Sequence, residues 1–219
     1  VSVSTKAVAF DLGGVLIDWD PRYLYRKLLA DEAAMEEFLA TVCTPEWNAE
    51  QDRGRPFAEG VAELAGRHPE HAVAIAAYHE RWPEMVAGDI PGTVEVLADL
   101  RAAGVPLYAL TNWSAETFAI TRPRFEFLDW FDGLLVSGEE GIAKPDPAIF
   151  RLLLDRFGLD PAATFFVDDS ETNVAAARGL GIDAVRFTGP ERLRRDLVAR
   201  RLLARPAPTA GPSPGTRRS

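Results

Sequence analysis

The chain has 219 residues, of which 47% are hydrophobic, and carries a formal net charge of −9. That length suits one domain, or one domain with a large insert. The hydrophobic share excludes a disordered chain, and an acidic balance without a basic block excludes general nucleic-acid binding.

The hydrophobic run at 6–10 predicts a short buried strand with Asp11 at its carboxyl end and Gly13 and Gly14 just beyond. Residues 21–85 carry helical patterns and no convincing strand. The stretch is too long for one crossover, so an inserted helical cap is expected, with Asp89-Ile90-Pro91-Gly92 as the return to the core. A helix follows at 93–103, with Val94, Leu97 and Leu100 on its apolar face and Gly104 as its stop. The run 105–110 predicts a strand ending in Thr111-Asn112, and 133–136 one ending in Ser137. Asp146 and Pro147 read as N-cap and first residue of a helix over 147–157, stopped by Gly158. A strand at 164–167 ends in Asp168-Asp169, an alanine-rich helix covers 171–180, and 184–187 is a weaker strand.

Strands alternating with helices of this length imply an α/β fold: a Rossmann-like parallel sheet flanked by helices, with an inserted α-helical cap. The expected boundaries are 1–18 and 86–204 for the core, 19–85 for the cap and 205–219 for a flexible, proline- and glycine-rich tail. The chain contains one cysteine, Cys43, so no intrachain disulfide is possible, which fits a reducing cytoplasm. Cys43 reads as an inert helical thiol. No apolar run of about 18 residues predicts a membrane span, and the N-terminal stretch does not read as a signal peptide.

Ligands of open parallel sheets bind beyond the carboxyl ends of the strands. Asp11, Thr111, Asn112, Asp168 and Asp169 are all predicted there, with Lys144 in the loop after the third strand. Three adjacent carboxylates repel unless a cation or proton intervenes. Hard oxygen donors suit Mg²⁺, which would also offset the charge of a phosphate beside Asp11. Asp11 is positioned to attack phosphorus. Gly13 and Gly14 permit close backbone approach. Thr111 and Asn112 can donate to phosphoryl oxygens, and Lys144 can hold Asp11 and the phosphate together. Trp19, Trp47 and Trp113 are candidates to line a substrate pocket at the cap–core seam. His68, His71 and His79 read as surface residues of the cap, and Arg22, Arg26, Arg53 and Arg55 as solvated.

The segments "FDLGGVL", "LTN", "KPDP" and "FFVDDSETN", in this order, resemble the four motifs of the haloacid dehalogenase superfamily. The chain is similar in particular to its members with a helical C1-type cap, in the branch of sugar-1-phosphate phosphatases and 2-haloacid dehalogenases. The resemblance puts Asp11 on the nucleophile, Thr111 on the phosphate-binding hydroxyl, Lys144 on the lysine and Asp169 on the metal-ligating acid. Asp168 becomes a second ligand or a shaper of the site, Asn173 a neighbour of the ligands, and the Gly13 carbonyl a further metal ligand. It implies a Mg²⁺-dependent phosphatase acting on a small anionic metabolite, a sugar phosphate among the candidates, in a cytoplasmic monomer or homodimer. The chain departs from the pattern at Gly13, where most phosphatases of the superfamily carry an aspartate that protonates the leaving group. Two alternatives stay open: a metal-free 2-haloacid dehalogenase, and a relative that binds ligand without turnover.

Overall fold

The computed structural model describes residues 7–204. Lys6, expected to open the first strand, and the 205–219 tail lie outside the described residues. Strand β1 (Ala7–Phe10) is buried along its whole length. It pairs in parallel with β4 (Leu107–Thr111) on one side and β6 (Thr164–Asp168) on the other. With β5 (Gly133–Val136) and β7 (Asp183–Arg186) the sheet order is β5-β4-β1-β6-β7, all parallel.

Alternation along the strands divides the core into two layers. Val8, Phe10, Leu107, Ala109, Phe165 and Val167 face α6 (Pro91–Ala102) and α11 (Pro190–Ala199). Ala9, Leu110, Leu135 and Phe166 face α9 (Pro147–Phe157) and α10 (Glu171–Gly179). Helix α9 has the predicted bounds: the Asp146 carboxylate accepts from the Ala148 N–H, Pro147 opens the first turn, and Gly158 ends it at φ +64°. The amphipathic helix α11 was not anticipated.

The segment between β1 and α6 leaves the sheet through a short antiparallel ribbon of β2 (Ile17–Trp19) and β3 (Val86–Asp89). Sequence periodicity misses both strands because neither is a continuous apolar run: β2 carries Asp18, and β3 contains Gly88 and Asp89. Between them lie α1 (Arg22–Tyr25), α2 (Glu32–Thr41), α3 (Pro45–Gln51), α4 (Phe57–Arg67) and α5 (Ala72–Glu80), and no strand. This helical insert has its own aromatic core of Tyr25, Phe38, Trp47, Phe57 and Tyr78, continuous with one layer of the main core. Two further α-helices complete the set among the described residues, α7 (Ala115–Thr121) after β4 and α8 (Ser137–Glu140) after β5. No helix among the described residues is long and apolar enough to cross a membrane.

Candidate active site

Strand register brings the polar strand ends together. Phe10 pairs with Val167, so Asp11 and Asp168 are the next residues on adjacent strands, and the Asp11 N–H donates to the Val167 carbonyl at 2.8 Å. Thr111 is the last residue of β4, buried, and its hydroxyl has no partner among the described residues. Beyond Asp11 the chain folds into a tight turn in which Leu16 and Ile17 both donate to the Leu12 carbonyl. Gly14 sits there at φ +70°, and a Cβ on it would meet Asp169 Oδ2 at 2.5 Å. The left-handed backbone there favours glycine, and any side chain would also push the Asp169 carboxylate aside.

Asp11, Asp168 and Asp169 each place an oxygen within 4.8 Å of the others. Lys144 lies among them, 2% exposed, with Nζ 2.9 Å from Asp11 Oδ1, 2.7 Å from Asp168 Oδ2 and 2.8 Å from the Leu110 carbonyl. Burial pulls its ammonium down, but Asp11 and Asp168 together outweigh burial and hold it above the ordinary lysine range. Asp11 is pushed up to about 7 by burial, against the pull of Lys144 and with the push of Asp168. Asp169 is raised by burial and by Asp168.

The three acids are not equivalent. Both oxygens of Asp168 are occupied: Oδ1 accepts from the Ser170 N–H at 2.8 Å and Asn173 Nδ2 at 3.0 Å, Oδ2 from Lys144 and from Asn173 at 3.1 Å. Asp169 is exposed; its backbone carbonyl accepts from Arg186, and its carboxylate is held only by its own backbone N–H. On Asp11, Oδ1 is fixed by the Leu12 N–H at 2.7 Å and by Lys144, while Oδ2 accepts no hydrogen bond from the described residues.

The profile of the haloacid dehalogenase-like hydrolases matches residues 5–181. The chain belongs to this family. A sesquiterpene phosphatase, astK, of Aspergillus oryzae is 30% identical over 184 residues, which is 84% of this chain and 90% of the relative. A phosphoglycolate phosphatase of Yersinia pseudotuberculosis is 28% identical over 84% of this chain and 81% of its own. Among solved structures, the HAD family enzyme bt-2542 of Bacteroides thetaiotaomicron, in complex with magnesium and inorganic phosphate, superposes with a TM-score of 0.63. It is 25% identical, over 84% of this chain and 94% of that one.

Within this hydrolase two of the candidates have neighbours that the sequence did not reveal. The Asn112 side chain lines the space beside Gly13 and is tied to the lysine loop. Its Oδ1 accepts from the Lys144 N–H at 2.8 Å and its Nδ2 donates to the Lys144 carbonyl at 2.9 Å, so it fixes the lysine loop. Trp47 does not join Trp19 and Trp113. It packs edge-on against Phe57 and Tyr78 inside the insert, because it occupies the inward face of α3.

Trp19 and Trp113 instead share a cavity of about 70 Å³ with Gly13, Asn48, Asp52, Trp82 and Asn112. Asn48, Asp52 and Trp82 were missed by sequence reasoning. One signal was available: Asn48 and Asp52 lie four residues apart, one turn along a helical face. Their carboxamide and carboxylate are bonded at 2.9 Å. A concavity of about 640 Å³ between α6 and α11 includes none of the strand-end acids.

The histidines and arginines of the insert stand apart from the acids. Arg22 pairs with Glu36 and Asp20, Arg26 with Glu32, and Arg55 with Glu50 and Glu63. Arg53 donates to the Ala49 carbonyl. His68 and His71 lie near Glu70, while half-buried His79 stacks on Phe57 with its Nε2 3.4 Å from Glu116. Cys43 is buried in the turn after α2 rather than in a helix, and burial pushes its thiol up to about 12. It should therefore resist alkylation at pH 8 in the native protein and react at once after denaturation. Native-state labelling within minutes would contradict that burial.

Proposed function

We propose that this hydrolase is a Mg²⁺-dependent phosphatase for a small phosphorylated metabolite, working through an aspartyl-phosphate on Asp11. The observation that carries this reading is the charge balance at the strand ends. Three carboxylates share one ammonium, which leaves two negative charges uncompensated when all are ionised. A divalent cation matches that deficit, and its preference for hard oxygen donors matches the residues present. A metal-free dehalogenase would have to bind an anionic substrate beside those same charges. The magnesium-and-phosphate complex of the similar enzyme and the phosphatase names of the relatives support the reading.

In this reading the Asp11 and Asp169 carboxylates and the Gly13 carbonyl would hold the ion, with Asp168 shaping the site through Lys144 and Asn173. The cation would supply charge neutralisation at the phosphoryl oxygens. Lys144 fixes Asp11 Oδ1, so Oδ2 is the oxygen available for attack. As the new oxygen–phosphorus bond forms, the bond from phosphorus to the leaving oxygen breaks. The Thr111 hydroxyl and Lys144 stabilise the transferring group. Water then attacks the phosphorus of the acyl phosphate, releasing phosphate and restoring the carboxylate. Residues 19–85 serve as the cap that keeps bulk water away, and Gly14 leaves room for the phosphate.

Two substitutions follow from these roles. Asp169→Ala should weaken Mg²⁺ binding by about tenfold or more with little loss of stability, since its carboxylate is exposed and lightly bonded. Calorimetric titration giving the wild-type Mg²⁺ affinity would remove Asp169 from the ligand set. At Gly13, general acid help is absent, and such help is typically worth about 10²–10⁴-fold. A Cβ at position 13 meets no heavy atom within 4 Å, so an aspartate is sterically admissible there. Gly13→Asp should accelerate hydrolysis of alkyl phosphates more than of aryl phosphates, because protonation matters most for the most basic leaving oxygen. Equal changes for both classes would sink the leaving-group argument.

The direct test of the function is a phosphate- and halide-release screen over metabolite phosphates and 2-haloacids, with and without Mg²⁺. Phosphate release that is lost on chelation is the expected result. Halide release without Mg²⁺, and no phosphate release, would transfer the function to the dehalogenase reading.

A further inference from the structure

The Asp169 carboxylate has no partner among the described residues beyond its own backbone N–H. Its direction is therefore set by the two peptide units that flank the residue, and both are anchored. Before it, the Asp168 carbonyl accepts from the Phe187 N–H at 2.8 Å, which carries the pairing of β6 and β7 one step past the register pair of Asp168 and Arg186. After it, the Ser170 N–H donates to Asp168 Oδ1 at 2.8 Å, and the Asp169 carbonyl accepts from Arg186 Nε at 2.9 Å.

Of these anchors, Arg186 is the one side chain that reaches across from the edge strand β7. Its guanidinium is exposed and makes no other hydrogen bond or ion pair with the described residues. Charge is the smaller part of the contact. Burial and then Asp168 push the Asp169 carboxyl up, Lys144 and its own N–H pull it back, and Arg186 contributes least. A cation placed there for its charge alone would also repel an arriving divalent ion.

We propose, resting on the Mg²⁺ reading above, that Arg186 is a positioning residue of the metal site. It fixes the peptide after Asp169, so that the exposed carboxylate stands beside Asp11 before the ion arrives. Groups that hold a metal ligand in place raise affinity without touching the metal, because the ligand then loses less freedom on binding.

The test is calorimetric titration of Mg²⁺ into the full chain, as wild type, Arg186→Met, Asp169→Ala and the double variant. Arg186→Met keeps an unbranched stem and removes the donor. Its Mg²⁺ affinity should fall by roughly 3- to 30-fold, with the metal-free melting temperature within about 2 °C of wild type. In the phosphatase assay the Mg²⁺ needed for half activation should rise by the same factor, while kcat at saturating Mg²⁺ stays within about twofold. On the Asp169→Ala background the substitution should change Mg²⁺ affinity by less than about twofold, because its effect runs through Asp169. Wild-type affinity in Arg186→Met, or the tighter binding that loss of a repelling charge would give, would overturn the proposal and leave the phosphatase reading standing. Additive losses in the double variant would do the same, as would a metal-free melt that falls along with the affinity. A wild type that binds no Mg²⁺ would overturn the metal reading and this proposal together.

Discussion

Asp11→Asn should lower turnover by about 10³-fold or more while leaving the fold intact. The amide keeps the size of the carboxylate and can still accept from the Leu12 N–H and Lys144, but it cannot attack phosphorus. Stability should hold or rise. Burial pushes the Asp11 carboxyl up to about 7, so the folded state carries its charge at a cost near neutral pH, and the amide removes that cost. Activity assays beside a thermal melt check both halves. A folded variant retaining more than a few per cent of the wild-type rate would rule out Asp11 as the nucleophile.

Lys144→Met should be the most destabilising single change in the site. The ammonium is the shared partner of Asp11, Asp168 and the Leu110 carbonyl, and its side chain is fully buried. Methionine fills much of the same volume but leaves two buried carboxylates without a cation. Breaking a buried pair in this way costs about 3–5 kcal/mol, or roughly 6–20 °C in a chain of this size. The sign of the pH dependence follows. Loss of Lys144 raises the folded-state pKa of Asp11 further, and an acid raised in the folded state loses stability as pH climbs above its unfolded value, about 4. The deficit relative to wild type should be smallest in acid and widen through neutrality. Denaturant melts at several pH values measure it, and a deficit independent of pH would contradict the assignment.

The strand-end chemistry was legible in the sequence because a parallel sheet translates order along the chain into position on one rim. Asp11, Thr111 and Asp168 each close a hydrophobic run, and in-register pairing makes them neighbours. The same logic located α9 to the residue, since Asp146, Pro147 and Gly158 mark its ends chemically. Sequence reasoning failed where geometry depends on contacts between distant segments. Asn112 has donors and an acceptor fit for phosphate, and nothing local reveals that the Lys144 backbone claims them. Trp47 and Asn48 are adjacent, yet α3 turns one into the insert's core and the other toward the cavity. Asp52 reaches the cavity because Ser137, 85 residues further on, accepts the Trp113 N–H and donates to the Asp52 carbonyl.

The covalent step on Asp11 is the centre of this account, and it can be observed directly. Wild-type protein mixed with Mg²⁺ and p-nitrophenyl phosphate is quenched in acid within the first turnovers, treated with borohydride and digested for mass mapping. Hydride reduces an acyl phosphate to an alcohol, so the account predicts homoserine in place of Asp11, absent without Mg²⁺ and absent in Asp11→Asn. Steady phosphate release with Asp11 unmodified under the same quench, or the modification on another carboxylate, would contradict it.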